Sequence, residues 1–191
     1  MYSSPNNQTI ALLNQNRNTV FRVSDVAMIT GSTNRAGITQ RLIYAVKKGL
    51  LCSPCKGIYA KNNYSFSELA CKLYTPSYIS LETVLLKAGV IFQYGETLTM
   101  ISYISRTITV DGKKIRYRKI KNDILLDMRG INRSEINEAT PERAFLDVLY
   151  LNPHYYFDNI SVLDKSKIKS LLPIYNSATL TKRANKIIEN A

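Results

Sequence analysis

The stretch at residues 23–61 reads VSDVAMITGSTNRAGITQRLIYAVKKGLLCSPCKGIYAK, and it decides how the rest of the chain is interpreted. Its apolar spacing predicts a short helix, a tight turn, a longer helix and a basic hairpin. In the short helix we expect Ser24 to cap residues 26–29, and Gly31 to supply the left-handed residue that follows. The longer helix is predicted at residues 34–49.

The longer helix has two contrasting faces when it is drawn at about 100° per residue. Its apolar face, which should contact a core, consists of Ile38, Leu42, Ala45 and Val46. Its polar face consists of Gln40, Tyr44 and Lys47, with Ala36, Gly37 and Lys48 beside them. An amide that can pair with adenine, a phenol and an ammonium for phosphate suit the major groove of duplex DNA.

The basic hairpin follows the longer helix directly. Leu50 and Leu51 are expected to start a strand, residues 53–57 to form a turn, and residues 58–60 to return as a second strand. This hairpin would be a wing with Lys56 at its tip.

A first helix at residues 9–16 would complete the core of a winged helix-turn-helix, while residues 1–8 are expected to fray. Its inward side chains would be Ile10, Leu12 and Leu13. The alternative is that these helices form only a packing or protein-interaction unit, as such shapes also do.

Charge favours a nucleic-acid partner. The 191 residues include 26 Lys and Arg against 14 Asp and Glu, for a formal net charge of +12 and a pI near 9.6. Residues 1–62 carry eight basic side chains against the single acid Asp25, and residues 106–121 and 165–191 are also basic. A unit that served only for packing would not need this excess.

Composition and length bound the class of protein. An apolar content of 45% is enough for a sizeable core in one large or two small domains. No apolar run approaches the roughly eighteen residues of a membrane span, and the N-terminus lacks the pattern of a secretion signal. Three cysteines are too few for a disulfide framework, so we expect a cytoplasmic protein without membrane contact.

Residues 63–191 predict a second domain of mixed α/β type, and residues 1–62 the DNA-binding domain, so the fold class expected is α+β. Helices are predicted at residues 67–74, capped by Ser65 or Ser67, and at residues 80–88, capped by Ser80. Residues 123–130 could add a strand.

The strongest helix signal in this domain begins at Thr140. Thr140 as cap, Pro141 at the first position and Glu142 in the first turn start a helix at residues 141–151. Its buried stripe would be Phe145, Leu146, Leu149 and Tyr150. Basic helices at residues 165–172 and 179–190 should follow.

The pair Asp111-Gly112 predicts a hairpin with a type I′ turn, which places Ile108 opposite Ile115. The opposite face would then carry Lys114, Arg116 and Arg118 beside Thr107 and Thr109. Together with Arg106 and Lys113 these cations could form a second basic surface for nucleic acid. Alternatively, they are a solvated face that resists aggregation.

The sequence shows no convincing catalytic or metal-binding pattern. Cys52 and Cys55 have a metal-like spacing, but zinc prefers four ligands and only Cys71 and His154 remain. His154 lies in an aromatic segment without a nucleophile beside it. We therefore expect no metal site, no cofactor, no catalytic residue and no enzymatic activity.

Two further motifs, YISLET at residues 78–83 and TPERAFLD at residues 140–147, carry a family resemblance when they are combined with KGLL and GIYA in the winged segment. In this order the pieces resemble the AbiEi antitoxins of bacterial type IV toxin-antitoxin systems, over roughly residues 18–152. One departure is Arg143, where relatives tend to have Lys.

The resemblance implies an N-terminal domain that represses its own operon at inverted repeats, and a C-terminal domain that counteracts a nucleotidyltransferase toxin. Direct contact with that toxin is left open. The resemblance also fits a monomer in solution that places two copies on each operator. The rival interpretation is a protein- or RNA-interaction adaptor whose winged domain is only structural.

The predicted DNA contacts follow from the helix faces. Base edges would be read by Gln40 and Tyr44, with Thr33, Asn34 and Arg35 near the start of the helix. The side chains predicted to hold phosphates are Arg41, Lys47, Lys48, Lys56 and Lys61.

Overall fold

A computed structural model describes residues 5–93, 95–133 and 136–189. Over these ranges the protein is a mixed α+β fold with nine α-helices, one short 3-10 helix and two sheets. It divides into two compact units, Met1–Leu73 (unit 1) and Tyr74–Ala191 (unit 2). Within the described ranges, no helix combines the length and apolar character that a membrane span requires.

The described residues of unit 1 form four helices and three short strands. Its elements are α1 Pro5–Gln15, β1 Val20–Arg22, α2 Val23–Thr30, α3 Arg35–Lys47, β2 Cys52–Cys55, β3 Ile58–Ala60 and α4 Phe66–Leu73. The three strands form an antiparallel sheet in the order β1-β3-β2. The core of unit 1 draws on helices α1, α2 and α3 and on the sheet, and consists of Leu13, Phe21, Val26, Ile38, Leu42, Ala45, Leu51 and Tyr59.

Helix α1 is longer than predicted. Residues 5–8 are helical, so the expected fraying is wrong for them, while residues 1–4 lie outside the described ranges. Leu13 is fully buried and Ile10 packs against the core, but Leu12 is 40% exposed and does not face inward. The reason is that positions 12 and 13 are 100° apart on a helix, and α1 buries only one narrow side.

Helix α2 begins directly after β1, so Ser24 lies inside it and the predicted Ser24 cap is wrong. The cap residue is Arg22, whose backbone N–H donates to Asp25 Oδ2 at 3.0 Å. The other end agrees with the prediction, because Gly31 has φ of 66° and ends the helix in the left-handed conformation.

Helix α3 spans Arg35–Lys47 with Asn34 as its cap, slightly shorter than the predicted 34–49. Gly49 has φ of 71°, and the next residue donates from Leu50 N to Ala45 O at 3.0 Å, which closes the helix end. The turn of the hairpin is shorter than predicted, since residues 53–55 belong to β2 and only Lys56 and Gly57 form the turn.

Helix α4 belongs to unit 1, so the boundary lies after Leu73 rather than at residue 62. The buried carboxylate of Glu68 accepts hydrogen bonds from Thr19 N at 2.8 Å, Thr19 Oγ1 at 2.6 Å and Val20 N at 3.2 Å. Lys72 Nζ lies 2.7 Å from Asp25 Oδ2, and Arg22 donates to Lys72 O. These contacts tie α4 to the start of the sheet. Its cap is Ser65, whose Oγ accepts from Glu68 N.

Unit 2 contains the larger sheet. Its elements are β4 Ser77–Ile79, α5 Glu82–Lys87, β5 Leu98–Ser102, β6 Arg106–Val110, β7 Lys113–Lys119, α6 Asn122–Leu126, β8 Ile131–Arg133, β9 Asn137–Ala139, α7 Pro141–Leu151, α8 Lys165–Leu171, η1 Leu172–Tyr175 and α9 Ala178–Glu189. The six strands run in the order β6-β7-β5-β4-β9-β8, with parallel pairs at β5-β7 and β4-β9.

Two predictions for unit 2 are wrong. The strand proposed at residues 123–130 is instead helix α6, and a short apolar run cannot distinguish these alternatives by periodicity. Ser80 does not cap a helix at residues 80–88. It follows β4, α5 starts only at Glu82, and its cap is Leu81 with φ of 62°.

The predicted hairpin is confirmed. Asp111 and Gly112 both have positive φ, and Ile108 pairs with Ile115. The helix after Thr140 is also confirmed, with Thr140 Oγ1 accepting from Arg143 N. Its burial exceeds the predicted stripe, because every residue from Glu142 to Leu149 is buried while Tyr150 is half-buried. Near the end of unit 2, the helix predicted at residues 179–190 is present as α9, although residue 190 lies outside the described ranges.

Candidate nucleic-acid interface

The polar face of α3 is exposed. Gln40, Tyr44 and Lys47 are all exposed, and Tyr44 has 46% of its surface accessible. On the opposite side Ile38, Leu42 and Ala45 are buried in the core of unit 1, while Val46 is half-buried. The amphipathic division predicted for this helix is therefore confirmed. We call Gln40, Tyr44 and Lys47 the α3 face.

The start of α3 is held by its own cap. Asn34 Oδ1 accepts a hydrogen bond from Gly37 N at 2.9 Å, and Thr39 Oγ1 donates to Arg35 O one turn later. The cap leaves only the amide nitrogen of Asn34 available, so this residue can contribute less to DNA contact than was predicted. Thr33 and Arg35 are exposed beside it. A side chain at position 37 would collide with Asn34, since a Cβ there would lie 2.9 Å from Asn34 Nδ2.

The predicted phosphate-binding cations have different environments. Lys47, Lys48 and Lys56 are exposed, and Lys48 Nζ lies 5.7 Å from the centre of the Tyr44 ring, a weak cation–π contact. Arg41 is half-buried. The hairpin β2–β3, which we call the wing, presents Lys56 in its two-residue turn as predicted.

Lys61, which was predicted to hold a phosphate, is engaged within unit 1. Its Nζ donates to Asn16 O at 2.7 Å and to Asn14 O at 3.2 Å, which are carbonyls at the end of α1. An ammonium at a helix C-terminus satisfies otherwise unpaired carbonyls and interacts favourably with the helix dipole. Lys61 is thus a structural cap for α1.

The second basic surface predicted on unit 2 is divided between two faces of the sheet. Thr107 pairs with Arg116 and Thr109 with Lys114, so these side chains share one face with Arg118. Arg106 pairs with Tyr117 and Val110 with Lys113, which places Arg106 and Lys113 on the opposite face. Arg106 lies 5.9 Å from the centre of the Tyr74 ring.

We call the first of these sets the basic ribbon. Its members are Lys114, Arg116 and Arg118, with Thr107 and Thr109 between them. All are exposed except Arg118, which is half-buried. Because β5 pairs with β7 and β4 with β5, the ribbon lies on the same face of the sheet as Thr99, Ile101 and Tyr78. The sheet face is therefore cationic at the β6–β7 end.

A cleft of about 300 Å³ lies where helix α5 meets the basic ribbon. Its lining includes Arg116 of the ribbon, Glu82 and Leu86 of α5, Ile91 and Gln93 of the following loop, and Tyr155. Sequence reasoning missed this cleft, because its residues come from four separate segments of the chain. The one available signal was the cluster of aromatic residues at 155–157.

The two motifs that carry the family resemblance meet in a buried polar cluster. Asp147 Oδ2 accepts from Ser80 Oγ at 2.8 Å and Tyr78 Oη at 3.1 Å, while Asp147 Oδ1 accepts from Tyr175 Oη at 2.7 Å. Arg143 Nε contacts the same carboxylate at 3.3 Å. We call these five residues the buried cluster.

Arg143 also joins the cluster to the backbone. It donates to Ile124 O at 2.7 Å, Arg129 O at 3.0 Å and Asp127 O at 3.3 Å. The side chains of Arg143 and Asp147 have no accessible surface. The cluster therefore cannot contact a ligand in this conformation, and it serves to lock α6, α7 and β4 together.

Arg143 and Asp147 are removed from water, and this burial shifts the pKa values of the groups in the cluster. Burial raises the pKa of Asp147 and outweighs the neighbouring guanidinium and hydroxyl donors. Burial opposes the charge of Arg143, but contacts with Tyr175, Asp147 and Tyr78 outweigh it and raise the pKa of the guanidinium. Burial and then the charge of Asp147 raise the pKa of Tyr78 and of Tyr175 well above 10.0, so both phenols donate at neutral pH.

The residues considered for metal or catalysis lie apart. Within residues 5–93, 95–133 and 136–189, no group of three or more His, Cys, Asp or Glu side chains converges as a metal site would require. Cys52 lies in β2, and its thiol is 3.5 Å from the carbonyl oxygens of Ala60 and Lys61. His154 is exposed in the loop after α7.

Comparison with known proteins does not assign the chain to a family. No protein-family model matches it, and no curated protein sequence matches it significantly.

Proposed function

We propose that unit 1 is a winged helix-turn-helix that binds duplex operator DNA, and that the protein represses transcription of its own operon. The observation that carries this proposal is the exposed α3 face, where an amide, a phenol and an ammonium lie about one helical turn apart on a helix that is well anchored on its other side. This arrangement suits insertion into a major groove.

The order of elements supports the proposal. Helices α2 and α3 are joined by residues 31–34, and the wing follows α3 immediately. Strand β1 lies between α1 and α2 in the chain and pairs with β3 of the wing. This pairing fixes the wing to the helical core. A rigid base of this kind holds the recognition helix and the wing in a constant relation, as reading a duplex requires.

Exposed cations at both ends of α3 and on the wing are placed where they could contact DNA phosphates. Arg35 lies at the start of α3, Lys47 and Lys48 at its end, and Lys56 at the tip of the wing, and all four are exposed. Gln40 and Tyr44 would contact base edges between these cations. Phosphate contacts then set register and affinity, while Gln40 supplies discrimination between bases.

The biological role that we propose rests on the resemblance to the AbiEi antitoxins. In this proposal the protein counteracts a nucleotidyltransferase toxin from the same operon, and unit 2 provides that activity. Two copies of a protein that is monomeric in solution would occupy an inverted repeat, with half-sites separated by about one or two turns of DNA.

The test is binding to the promoter of the protein's own operon, measured by fluorescence anisotropy with a scrambled duplex for comparison. We expect the full chain to prefer the promoter, and the variant Q40A/Y44A/K47A to lose that preference. The matched control is Y103A/K182A/T179A, which removes a phenol, an amine and a hydroxyl from exposed positions of unit 2. This control should bind as the unmodified protein does.

Equal affinity for the promoter and the scrambled duplex, or an unchanged preference in the α3 variant, would overturn the DNA-binding proposal. The adaptor interpretation predicts that result. The antitoxin role is tested separately by co-expression with the adjacent gene: rescue of growth supports it, and failure to rescue from a toxic neighbour contradicts it.

A further inference from the structure

The basic ribbon and the cleft beside it form a surface that differs in chemistry from the α3 face. The segment that supplies it, residues 106–121, contains seven Lys and Arg against one Asp. Three of these cations, Lys114, Arg116 and Arg118, alternate along β7 on one face of the sheet. Alternate residues on a strand are about 6.6 Å apart, which is close to the spacing of phosphates along an extended single strand.

Two exposed aromatic residues, Phe92 and Tyr156, are next in sequence to residues that line the cleft. Phe92 is 67% exposed and Tyr156 is 77% exposed, which is unusual for such large side chains. Phe92 stands between Ile91 and Gln93, which both line the cleft with Arg116. Tyr156 follows Tyr155, which also lines it.

The segments that carry Phe92 and Tyr156 make contacts within unit 2. Phe92 N donates to Asp158 Oδ2 at 2.8 Å, which joins the loop of Phe92 to the loop of Tyr156. Tyr155 packs on Phe157 with ring centroids 5.1 Å apart, and Phe157 in turn packs on buried Phe145 of α7. These contacts join the two segments that carry the exposed aromatic residues.

We propose that this surface binds a single-stranded polynucleotide. The cations of the basic ribbon would hold successive phosphates, and Phe92, Tyr155 and Tyr156 would stack unpaired bases at the cleft. Cationic tracks combined with exposed aromatic rings are how single-stranded nucleic acids are bound without a fixed sequence. A duplex cannot use the rings, because its bases are already stacked on each other.

The cleft also contains groups that distinguish RNA from DNA. Glu82, which lines the cleft, can accept a hydrogen bond from a ribose 2′-hydroxyl, whereas the hydroxyls of Thr83 and Thr99 are hydrogen-bonded within the protein. Glu82 repels phosphate, so it favours a strand that turns its sugar edge toward α5 and its phosphates toward the ribbon. This geometry favours RNA over DNA of the same sequence.

The test measures anisotropy of labelled oligouridylate, oligothymidylate and a scrambled DNA duplex with the full chain. We expect the single strands to bind, with oligouridylate the tighter of the two. The variant K114A/R116A/R118A should flatten the dependence of log K on log salt by about two units, since each phosphate contact on a single strand contributes about 0.7. Its matched control is K165A/K167A/K169A, which removes three exposed cations from α8.

The stacking step has its own variant. Phe92→Ala should weaken binding of the single strands by about five- to a hundredfold and leave duplex binding unchanged. The matched control is Tyr103→Ala, an exposed aromatic residue after the opposite end of β5.

Three results would overturn the proposal: binding of the duplex only, an equal loss in the α8 control, or single-strand binding by Phe92→Ala as tight as that of the unmodified protein. Equal binding of the two single strands would overturn only the preference for RNA. Circular dichroism and thermal unfolding of each variant exclude misfolding as the cause of a loss. Promoter binding through the α3 face should survive in both variants, so this proposal and the proposed function fail independently.

Discussion

Helices α3 and α7 both carry polar side chains one turn apart, but those of α3 are exposed and those of α7 are buried. Gln40, Tyr44 and Lys47 have accessible surface, whereas Arg143 and Asp147 have none. The buried pair is surrounded by donors and acceptors from three other segments. The comparison shows that the same kind of spacing leaves polar side chains exposed in one unit and joins buried segments in the other.

The consequence concerns the motif TPERAFLD, one of the two most specific parts of the family resemblance. Its Arg and Asp hold unit 2 together rather than contact a partner. A loss of function after mutation there would therefore report unfolding. The exposed residues of the α3 face and the basic ribbon are the better targets for tests of binding.

The largest effect that sharpens this comparison is expected for Arg143→Met. The change removes the only guanidinium shown beside the buried Asp147 carboxyl and takes away the Arg143 donor from the carbonyls of Ile124, Asp127 and Arg129, so unit 2 should lose about 3 to 5 kcal/mol of unfolding free energy. Urea denaturation followed by far-ultraviolet circular dichroism measures it. The control Arg133→Met, at an exposed position, should change stability by less than about 0.5 kcal/mol. A loss as small as the control's would contradict the role of the cluster.

A smaller effect is expected for Glu68→Gln in unit 1, where a buried carboxylate accepts three hydrogen bonds. The amide keeps one acceptor oxygen and turns a donor toward Val20 N or Thr19, so we expect a loss of about 2 kcal/mol. Hydrogen exchange of the Thr19 and Val20 amides should accelerate at the same time. Unchanged exchange at both amides would show that α4 is not tied to β1 in solution.

For the α3 face, Gln40→Ala should relax preference at a single base pair by about tenfold, with little change in stability because the side chain is exposed. Competition with operator variants substituted one position at a time measures this. Lys47→Ala should instead weaken all sequences alike and reduce the salt slope by about one unit. If Gln40→Ala lost affinity uniformly across all operator variants, base reading by this residue would be excluded.

The smallest effect is the acid dependence of unit 1 that arises from Asp25. Burial raises the pKa of this carboxyl, but hydrogen bonds from Arg22 N and Lys72 outweigh burial, and the net pKa is lowered from 3.8. A lowered pKa stabilises the folded state above the unfolded value, and the contribution is lost as the pH falls below about 4. Asp25→Asn should remove about 1 kcal/mol or less at pH 7 and flatten the stability profile between pH 4 and 2. An unchanged profile would show that the contact with Lys72 contributes nothing.

Much of the local structure was predictable because neighbouring residues decide it. The faces of α3 follow from helical periodicity, the end of α2 from Gly31, and the register of β6 and β7 from the Asp-Gly turn. The start of α7 follows from Thr140 and Pro141. In each case the signal lies within a few residues of the feature that it determines.

Other features depended on partners that are distant in sequence. Strand β1 was missed, because three residues carry no periodicity and Val20 and Phe21 become a strand only by pairing with β3. Lys61 was predicted to bind phosphate because it is a cation near the wing. In the structure its ammonium donates to backbone carbonyls at the end of α1, and the sequence did not indicate that this helix end lies nearby. The cleft at the basic ribbon required segments near residues 82, 93, 116 and 155 to meet.

The sequence by itself determined the polar face of α3, the basic hairpin with its two-residue turn, and the excess of positive charge. Only the tertiary structure decided that Arg143 and Asp147 are buried and that the basic ribbon separates from Arg106 and Lys113. The physical reason is that periodicity and turn chemistry act over a few residues, while burial depends on which segments pack together. Long-range packing therefore decides whether a charged side chain is exposed to solvent or buried in the interior.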